Sequence, residues 1–324
     1  MFKRCATLAL AITVATMSAG PVAAFDLQGH RGARGLAPEN TLAGFARALE
    51  IGVTTLELDL AVTKDGVLVV THDPTLNPNI VRTPDGRWLA ARGPAVYSLT
   101  LEELKRYDVG RIRPWTSYWL RFRGQTPADG ERIPTLEELF GMVKASGKAP
   151  RFNIETKLSP ERPSETPDPE TFAKLLVDAV RDAGLADRTS IQSFDWRTLL
   201  ASKKLGPEIE TVCLTSNAYF GGNLRRRGGQ AASPWLGGLD PAAYGGSVPR
   251  LVKAAGCGTW SPRKRDLSGR AVAEAHALGL KVVPWTVNAK GDVARALALK
   301  VDGLITDYPS RVREMVKGNG IALP

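Results

Sequence analysis

Residues 25–73 decide the fold, and they read FDLQGHRGARGLAPENTLAGFARALEIGVTTLELDLAVTKDGVLVVTHD. An apolar run at 25–29 predicts a strand ending in a loop, and Asn40 or Thr41 predicts the N-cap of a helix that ends at Gly52. A second strand is predicted over 53–62, and Asp65-Gly66 predicts a hairpin into a third strand at 67–71. Strand, helix and strand in this order are typical of the start of a parallel sheet.

The hairpin predicts which side chains meet. If Asp65 and Gly66 form a two-residue loop, Asp59 lies opposite His72. Because strand residues two apart share a face, Glu57, Asp59 and His72 would then line one surface. A core built for stability alone has little use for so many ionisable groups, since a buried charge needs a partner or a metal. We therefore predict a catalytic centre in this stretch.

The rest of the chain alternates between predicted strands and helices. Strands are predicted at 151–157, 190–194, 210–214, 281–287 and 303–306, and helices at 101–107, from 134 onward, and at 169–183, 196–204, 267–278 and 291–299. This alternation favours an α/β fold of the (β/α)₈ TIM barrel type, irregular between the second and third strands. A doubly wound sheet is disfavoured because no glycine-rich dinucleotide fingerprint follows the first strand.

Two segments depart from the alternation. Residues from about 76 to 133 lose their periodicity and are too long for an ordinary connection, so we predict a small inserted subdomain beside the site. Residues 217–248 are rich in Gly and Pro and predict a mobile loop.

The start of the chain has the pattern of a secretory signal. Lys3 and Arg4 precede an apolar run at 6–17, and the small residues at 22–24 suit cleavage after Ala24. We expect residues 1–24 to be a signal peptide and residues 25–324 to be a periplasmic or secreted barrel domain. No later run is apolar for long enough to predict a transmembrane segment.

The chain is basic, with 43 Lys and Arg against 33 Asp and Glu and a formal net charge of +10. A basic surface concentrates anionic substrates or favours peripheral contact with acidic membranes. Nucleic-acid binding is not predicted, because aromatic residues are not interleaved with the basic clusters at 225–227 and 263–265. Without the signal, Cys213 and Cys257 remain, and they form either a disulfide in an oxidising compartment or two free buried thiols.

A barrel carries its chemistry at the carboxyl ends of its strands, and the candidate residues comply. Glu57, Asp59 and Glu155 offer hard oxygen ligands, which suit Ca²⁺ or Mg²⁺ better than Zn²⁺. On spacing alone, carboxylates at alternate strand positions are more often surface residues. His30 and His72 suit general acid and base roles, because imidazole titrates near neutral pH. Other candidates near strand ends are two cations that could hold an anion and two aromatic residues: Arg31, Lys157, Phe194 and Trp285.

An ordered set of motifs extends these observations. It comprises His30-Arg31-Gly32, Pro38-Glu39-Asn40-Thr41, Glu57-Leu58-Asp59, Thr63-Lys64-Asp65-Gly66, His72-Asp73, Leu99-Thr100-Leu101-Glu102-Glu103-Leu104, Ile133-Pro134-Thr135-Leu136, Asn153-Ile154-Glu155-Thr156-Lys157, Ser193-Phe194, Trp285-Thr286-Val287-Asn288 and Thr306-Asp307-Tyr308-Pro309. In this order the motifs resemble the glycerophosphodiester phosphodiesterase family, over nearly the whole chain that follows the signal.

The resemblance implies a barrel enzyme that hydrolyses deacylated phospholipids to glycerol 3-phosphate and an alcohol. It implies that His30 and His72 are the acid and base pair, and that one divalent cation, Ca²⁺ or Mg²⁺, is held by Glu57, Asp59 and Glu155. It places Arg31 on the phosphate with Lys157 close by. The substrate's own 2-hydroxyl would attack phosphorus, and water would open the cyclic phosphate. We expect His30 to be the base of the first step and His72 the acid.

Several assignments stay open at this stage. Phe194 and Trp285 either clamp the glycerol moiety or serve packing. Asp73 is expected to orient His72 or the turn after it rather than to bind the metal, and His276 is expected to be a surface or core residue. One alternative function is a phospholipase D-like activity on lysophospholipids or sphingomyelin. Another is a noncatalytic exported phosphodiester-binding protein, against which the intact set of histidines and carboxylates speaks. The sequence does not specify the head group, the cation or the oligomeric state.

Overall fold

The computed structural model describes residues 24–218, 222–224 and 233–323 of the 324-residue chain. Its strands are β1 Asp26–Gly29, β2 Thr55–Val62, β3 Leu68–Val70, β4 Arg151–Thr156, β5 Thr189–Ser193, β6 Glu210–Thr215, β7 Thr259–Pro262, β8 Lys281–Val282 and β9 Gly303–Thr306. Its α-helices are α1 Leu42–Ile51, α2 Leu101–Leu104, α3 Ser117–Arg121, α4 Leu136–Ala145, α5 Pro169–Asp182, α6 Trp196–Leu205, α7 Val248–Ala254, α8 Gly269–Ala277, α9 Lys290–Ala298 and α10 Pro309–Gly318. The predicted signal peptide lies outside the described residues, except for Ala24.

Eight of these strands form a nearly closed parallel barrel, which confirms the predicted fold class. The hydrogen-bonded order runs from β8 through β7, β6, β5, β4, β2 and β1 to β9. Beyond β8 the barrel closes through backbone bonds, since the Val287 N–H donates to the Ile305 carbonyl at 2.9 Å and the Ile305 N–H donates to the Pro284 carbonyl at 3.0 Å. The strand predicted over 281–287 is regular only at its start, because Pro284 has no N–H to give to a ladder.

The remaining strand, β3, pairs antiparallel with β2 and lies off the barrel path. Its register differs from the predicted one by a single residue. The Thr71 N–H donates to the Asp59 carbonyl at 2.9 Å, so Asp59 lies opposite Thr71 and the predicted pairing with His72 is wrong.

The slip comes from the turn. The loop holds three residues, 64–66, because the Thr63 N–H donates to the Val67 carbonyl at 3.0 Å and makes these two residues the closing pair. Gly66, the last residue of the loop, takes a left-handed φ of 81°. Three-residue hairpin loops that end in a left-handed residue are common, and Asp-Gly alone does not separate them from two-residue loops.

Alternation along β2 separates the packing face from the chemical face. Leu56, Leu58 and Leu60 join the large hydrophobic core between the sheet and the helices. Glu57 and Asp59 point the other way, into the barrel, and every residue of β2 is buried. The carboxylates are therefore carried by one of the most thoroughly packed strands of the molecule.

The helices begin where the caps indicate. Thr41 is the N-cap of α1 and accepts from the Gly44 N–H, while Gly52 ends the helix with a φ of 81°.

Three of the helices in the described part of the chain were not predicted from the sequence, and these are α3, α7 and α10. Of the predicted mobile loop, residues 219–221 and 225–232 lie outside the described residues, and the described part contains short 3₁₀ turns at Pro234–Leu236 and Pro241–Tyr244.

The segment predicted as an insertion has a small hydrophobic cluster of its own. Its buried members, together with Ala61 and Val69 of the hairpin, are Leu76, Val81, Val96, Leu104, Val109 and Ile133. This second cluster packs the segment against the outer side of the β2–β3 hairpin.

Two further features complete the description of the fold. Cys213 of β6 and Cys257 are joined by a disulfide, with Cα atoms 5.9 Å apart. Among the described residues, no helix has both the length and the apolar character needed to cross a bilayer.

Candidate active site

Three buried carboxylates form the centre of the site. Glu57 and Asp59 lie on β2, and the parallel register places Asp59 beside Glu155 of β4. Each offers an oxygen within 4.8 Å of the others. The predicted ligand set is therefore brought together at the carboxyl ends of neighbouring strands.

The ionisation of these carboxylates fits a cation site. Burial, with Asp59 and Glu155 adjoining, raises the pKa of Glu57 well above its ordinary value. Burial also raises the pKa of Glu155 to about 7. Burial opposes the ionisation of Asp59, but Arg31 and Lys157 outweigh it and hold the pKa of that carboxyl well below its ordinary range.

One oxygen of the trio is weakly satisfied. Within the described residues the buried Oδ1 of Asp59 accepts no hydrogen bond, and its ion pair with Lys157 Nζ is long, at 3.6 Å. An orphaned buried carboxylate oxygen is costly unless a further group neutralises it. Carboxylate oxygens alone make up the trio, and such a donor set suits Ca²⁺ or Mg²⁺.

His30 follows β1 directly, at the rim of the barrel. Its Nδ1 lies 2.6 Å from Asp307 Oδ1, and its Nε2 lies 4.0 Å from Glu57 Oε2. Burial, followed by the charge of Arg34, lowers the pKa of His30 to about 4. The imidazole is consequently neutral near pH 7.

Asp307 is held by more than the histidine. Arg34 binds both of its oxygens, through Nε at 2.8 Å and Nη2 at 3.2 Å, and Asn288 Nδ2 donates to Oδ2 at 2.6 Å. Burial opposes its ionisation, but Arg34 and His30 outweigh burial and hold the pKa of Asp307 far below its ordinary value. An ionised Asp307 fixes the proton of His30 on Nδ1 and leaves Nε2 free to accept one.

His72 reaches the site from the loop after β3. Its Nδ1 lies 2.9 Å from Asp73 Oδ1, and Asn77 Nδ2 donates to the second oxygen of Asp73 at 2.6 Å. Burial, then Arg31 and Lys157, lowers the pKa of His72. The loop, rather than the predicted strand register, brings His72 to the carboxylates, and Asp73 does orient it.

The two predicted cations lie against the trio. The Arg31 N–H donates to Glu57 Oε2 at 2.8 Å, and its guanidinium contacts Glu39 at 2.7 Å and Asp59 at 3.1 Å. Arg31 also takes a left-handed φ of 52°, which is uncommon for a residue other than glycine. Lys157 Nζ donates to Glu155 Oε1 at 2.7 Å.

The predicted aromatic residues meet at one side of the site. The rings of Phe194 and Trp285 are 5.2 Å apart and nearly perpendicular. Phe194 lines a cavity of about 370 Å³ together with Trp235 and with three residues of the site, which are His72, Glu155 and Lys157. Trp285 instead backs Phe194, with its indole N–H donating to the Ser261 carbonyl at 3.0 Å.

Several residues that support the site were not assigned a role from the sequence. Gln192 of β5 donates to Glu57 Oε1 at 2.7 Å, and Asn153 of β4 fixes that amide by donating to Gln192 Oε1 at 2.9 Å. Gln192 and Asn153 each alternate along their strand with residues of the hydrophobic core. This alternation predicts that their side chains face into the barrel. Asp307 follows β9 directly and belongs to the motif Thr306-Asp307-Tyr308-Pro309, and Arg34 lies one turn after His30 in the sequence. Tyr118, which donates to Glu39 from α3, left no signal because the insertion lacks periodicity.

His276 lies apart from this group. It is exposed on α8 and its Nε2 lies 3.0 Å from Asp302 Oδ2. The third histidine is therefore a surface residue, one of the two places expected for it.

The fold and the site together define an enzyme among the TIM-barrel hydrolases of phosphodiesters. More specifically, the chain belongs to the glycerophosphoryl diester phosphodiesterase family, whose family model matches residues 30–311. This confirms the resemblance found in the ordered motifs.

Two bacterial relatives align with this chain over most of their length. The glycerophosphodiester phosphodiesterase of Caldanaerobacter subterraneus subsp. tengcongensis is 33% identical over 301 residues, covering 90% of this chain and 97% of the relative. That of Bacillus subtilis is 30% identical, covering 89% of this chain and 85% of the relative.

Solved structures share the fold. A crystal structure assigned provisionally to a glycerophosphoryl diester phosphodiesterase of Silicibacter pomeroyi DSS-3 has a TM-score of 0.82 and 33% identity, covering 94% of this chain and 97% of its own. An Oleispira antarctica phosphodiesterase in complex with its product sn-glycerol-3-phosphate has a TM-score of 0.65 and 22% identity, covering 90% and 96%. At that identity the second likeness concerns the fold alone.

Proposed function

We propose that this chain hydrolyses glycerophosphodiesters to glycerol 3-phosphate and an alcohol, with one divalent cation, Ca²⁺ or Mg²⁺, and with His30 and His72 as the acid and base pair. The observation that carries the proposal is the pair of histidines around the carboxylate trio. Each imidazole has its Nδ1 next to an aspartate, so each can use Nε2 for proton transfer.

Substrate binding follows from the cations of the site. Arg31 and Lys157 present positive charge beside the trio and would hold the phosphodiester anion. A cation held by Glu57, Asp59 and Glu155 would supply charge neutralisation at a phosphoryl oxygen. Phe194 offers an apolar wall for the glycerol carbons.

His30 acts first as the base. Neutral at working pH, its Nε2 takes the proton of the substrate's 2-hydroxyl as that oxygen forms a bond to phosphorus. The bond from phosphorus to the head-group oxygen breaks, and His72 gives that oxygen a proton. The first products are the alcohol and a cyclic phosphate.

The second step reverses the two roles. His72 takes a proton from water as the water oxygen bonds to phosphorus, the bond from phosphorus to the 2-oxygen breaks, and His30 returns its proton to that oxygen. The result is glycerol 3-phosphate, and both histidines regain their starting protonation.

We also propose that the chain works outside the cytoplasm. Residues 1–24 have the pattern of a signal peptide, and the disulfide between Cys213 and Cys257 supports an oxidising compartment. Fractionation of the native host, with detection of a mature N-terminus at Phe25, tests this proposal.

The activity test measures glycerol 3-phosphate released from glycerophosphocholine and related head groups, after chelation and after adding back Ca²⁺ or Mg²⁺. We expect chelation to abolish release and one cation to restore it. His30→Ala should lose activity, whereas His276→Ala is the matched control and should keep it. Turnover of lysophosphatidylcholine micelles alone would contradict the proposed substrate. Full activity after exhaustive chelation would show that the reaction needs no metal ion.

A further inference from the structure

One segment of the insertion differs from the rest of the surface in composition. Residues 111–128 read RIRPWTSYWLRFRGQTPA, with four arginines, four aromatic residues and no Asp or Glu. We call this the basic aromatic segment. It contains α3, and its charge is of one sign over eighteen consecutive residues.

The basic aromatic segment exposes large apolar side chains. Trp115 is 84% exposed and Leu120 is 59% exposed, the two highest values among the large hydrophobic residues the structure describes. The ring of Trp119 lies 5.1 Å from that of Trp115. Trp115 also holds a φ of +64°, which bulky residues seldom adopt. Among the described residues, Trp115 finds no buried environment that would offset the strain of this conformation.

Buried contacts fix the same segment to the rim of the active site. Tyr118 of α3 donates to Glu39, the carboxylate that holds Arg31. Phe122 is buried, and the guanidinium of Arg34 lies 4.8 Å from its ring centre. Leu120 therefore lies on α3 and Trp115 just before it, while Tyr118 and Phe122 of the same segment contact residues of the site.

Exposed positive charge flanks the apolar side chains. Arg121 and Arg123 are both exposed, and within the described residues no ion pair engages either guanidinium. Tryptophan prefers the headgroup level of a bilayer, and each arginine near an anionic surface adds attraction. A stable protein interface uses roughly 20 residues per partner, far more than this patch offers.

We propose that the basic aromatic segment docks the enzyme onto an anionic lipid surface. Trp115 and Leu120 enter the headgroup region, and Arg121 and Arg123 contact lipid phosphates. Because α3 borders the site, docking would hold the mouth of the site at the membrane, where deacylated phospholipids are released. The proposal concerns a surface outside the catalytic residues, so it stands or fails separately from the proposed reaction.

The test is cosedimentation of the purified chain with sucrose-loaded vesicles of phosphatidylcholine alone or mixed equally with phosphatidylglycerol. We expect binding to the mixed vesicles only. Arg121→Gln with Arg123→Gln should lower the partition coefficient roughly 30-fold. Trp115→Ser with Leu120→Ser should lower it by about 10-fold or more. Leu200→Ser with Leu205→Ser is the matched control, since both leucines are 37% exposed on α6, and it should stay within about 2-fold.

Two further measurements separate docking from loss of structure. Turnover of soluble glycerophosphocholine should be unchanged in all three double variants. Trp115→Gly should lower vesicle binding without lowering the melting temperature, because glycine accepts a positive φ without strain. Brominated lipids in the vesicles should quench tryptophan emission of the wild type and much less that of Trp115→Gly.

Four results would contradict membrane docking by the basic aromatic segment. Equal binding by the wild type and both segment variants, or an equal loss in the leucine control, would overturn the proposal. Absence of binding to the mixed vesicles would do the same. So would tighter binding to single-stranded DNA than to vesicles, which would make nucleic acid the partner.

Discussion

The two histidines of the site are held in opposite ways. His30 is nearly buried at the end of β1, and its partner Asp307 lies 277 positions away in the sequence. His72 is about a third exposed in a loop, with a side-chain exposure of 31%, and its partner Asp73 is its neighbour in the chain. The first pair requires the barrel to close, whereas the second requires only one loop to form.

The charges around the two rings differ as well. After burial, Arg34 contributes most to lowering the pKa of His30, while Arg31 and Lys157 contribute most for His72. Arg31 and Lys157 are the groups proposed to hold the phosphodiester. An anionic substrate would therefore offset the charges that deprotonate His72 more than those that deprotonate His30. This contrast favours His30 as the base and His72 as the acid of the first step.

The leaving group provides the sharpest test of that contrast. His30→Ala should slow the first step by roughly 10⁴-fold on any substrate, because the attacking hydroxyl always needs a base. His72→Ala should slow that step by about 10³-fold with a choline leaving group and much less with p-nitrophenolate, which leaves without a proton. Single-turnover release of choline from glycerophosphocholine and of p-nitrophenolate from the p-nitrophenyl diester measures both effects, because it excludes the opening of the cyclic phosphate, for which His72 is the base. The roles are exchanged if His30→Ala is the variant that p-nitrophenolate rescues.

The aspartate partners should differ in the same direction. Asp307→Asn can donate its amide to His30 Nδ1, which moves the ring proton to Nε2 and removes the base. We expect a loss of kcat of roughly 10³- to 10⁴-fold with little change in KM. Asp73→Asn should cost about 10-fold, since His72 is part-exposed and water can replace the contact. Asn77→Ala is the control for the local loop, and a larger loss in Asp73→Asn than in Asp307→Asn would contradict the comparison.

The same contrast explains what the sequence could predict. His72-Asp73 and Glu57-Leu58-Asp59 are local patterns, so their residues were identified, as were the barrel and most of its strands. The contact between His30 and Asp307 depends on closure between β1 and β9, and no local pattern carries it. The hairpin register failed because Asp65-Gly66 fits loops of two or three residues. Helix α3 and Tyr118 were missed because α3 has only five residues and the segment around it lacks the apolar periodicity that identified the helices of the barrel.

A smaller effect is expected from the amides behind the carboxylates. Gln192 fixes Glu57 Oε1, and Asn153 sets the direction of that amide. Gln192→Leu should weaken Ca²⁺ or Mg²⁺ binding about 10-fold, as loss of a ligand's supporting hydrogen bond does. Asn153→Asp should have a similar effect, because a carboxylate cannot donate to Gln192. Calorimetric titration of each cation in the absence of substrate measures this, and unchanged affinity in both variants would show that Glu57 needs no such support.

The smallest expected change is a displaced pH profile, and it tests the electrostatic half of the comparison. His30 must be neutral to accept a proton, so kcat/KM falls as the pH drops through its pKa, which lies near 4 after burial and with Arg34 adjacent. Arg34→Met keeps the contact with Phe122 and removes the charge that lowers the pKa of His30. That pKa should rise toward its ordinary value of 6.5 and carry the acidic limb of the kcat/KM profile to higher pH. Arg311→Met, which removes an exposed arginine stacked on Tyr308, should leave the limb in place. A limb that stays still in Arg34→Met, or moves to lower pH, would mean that His30 is not the group whose neutral form starts the reaction.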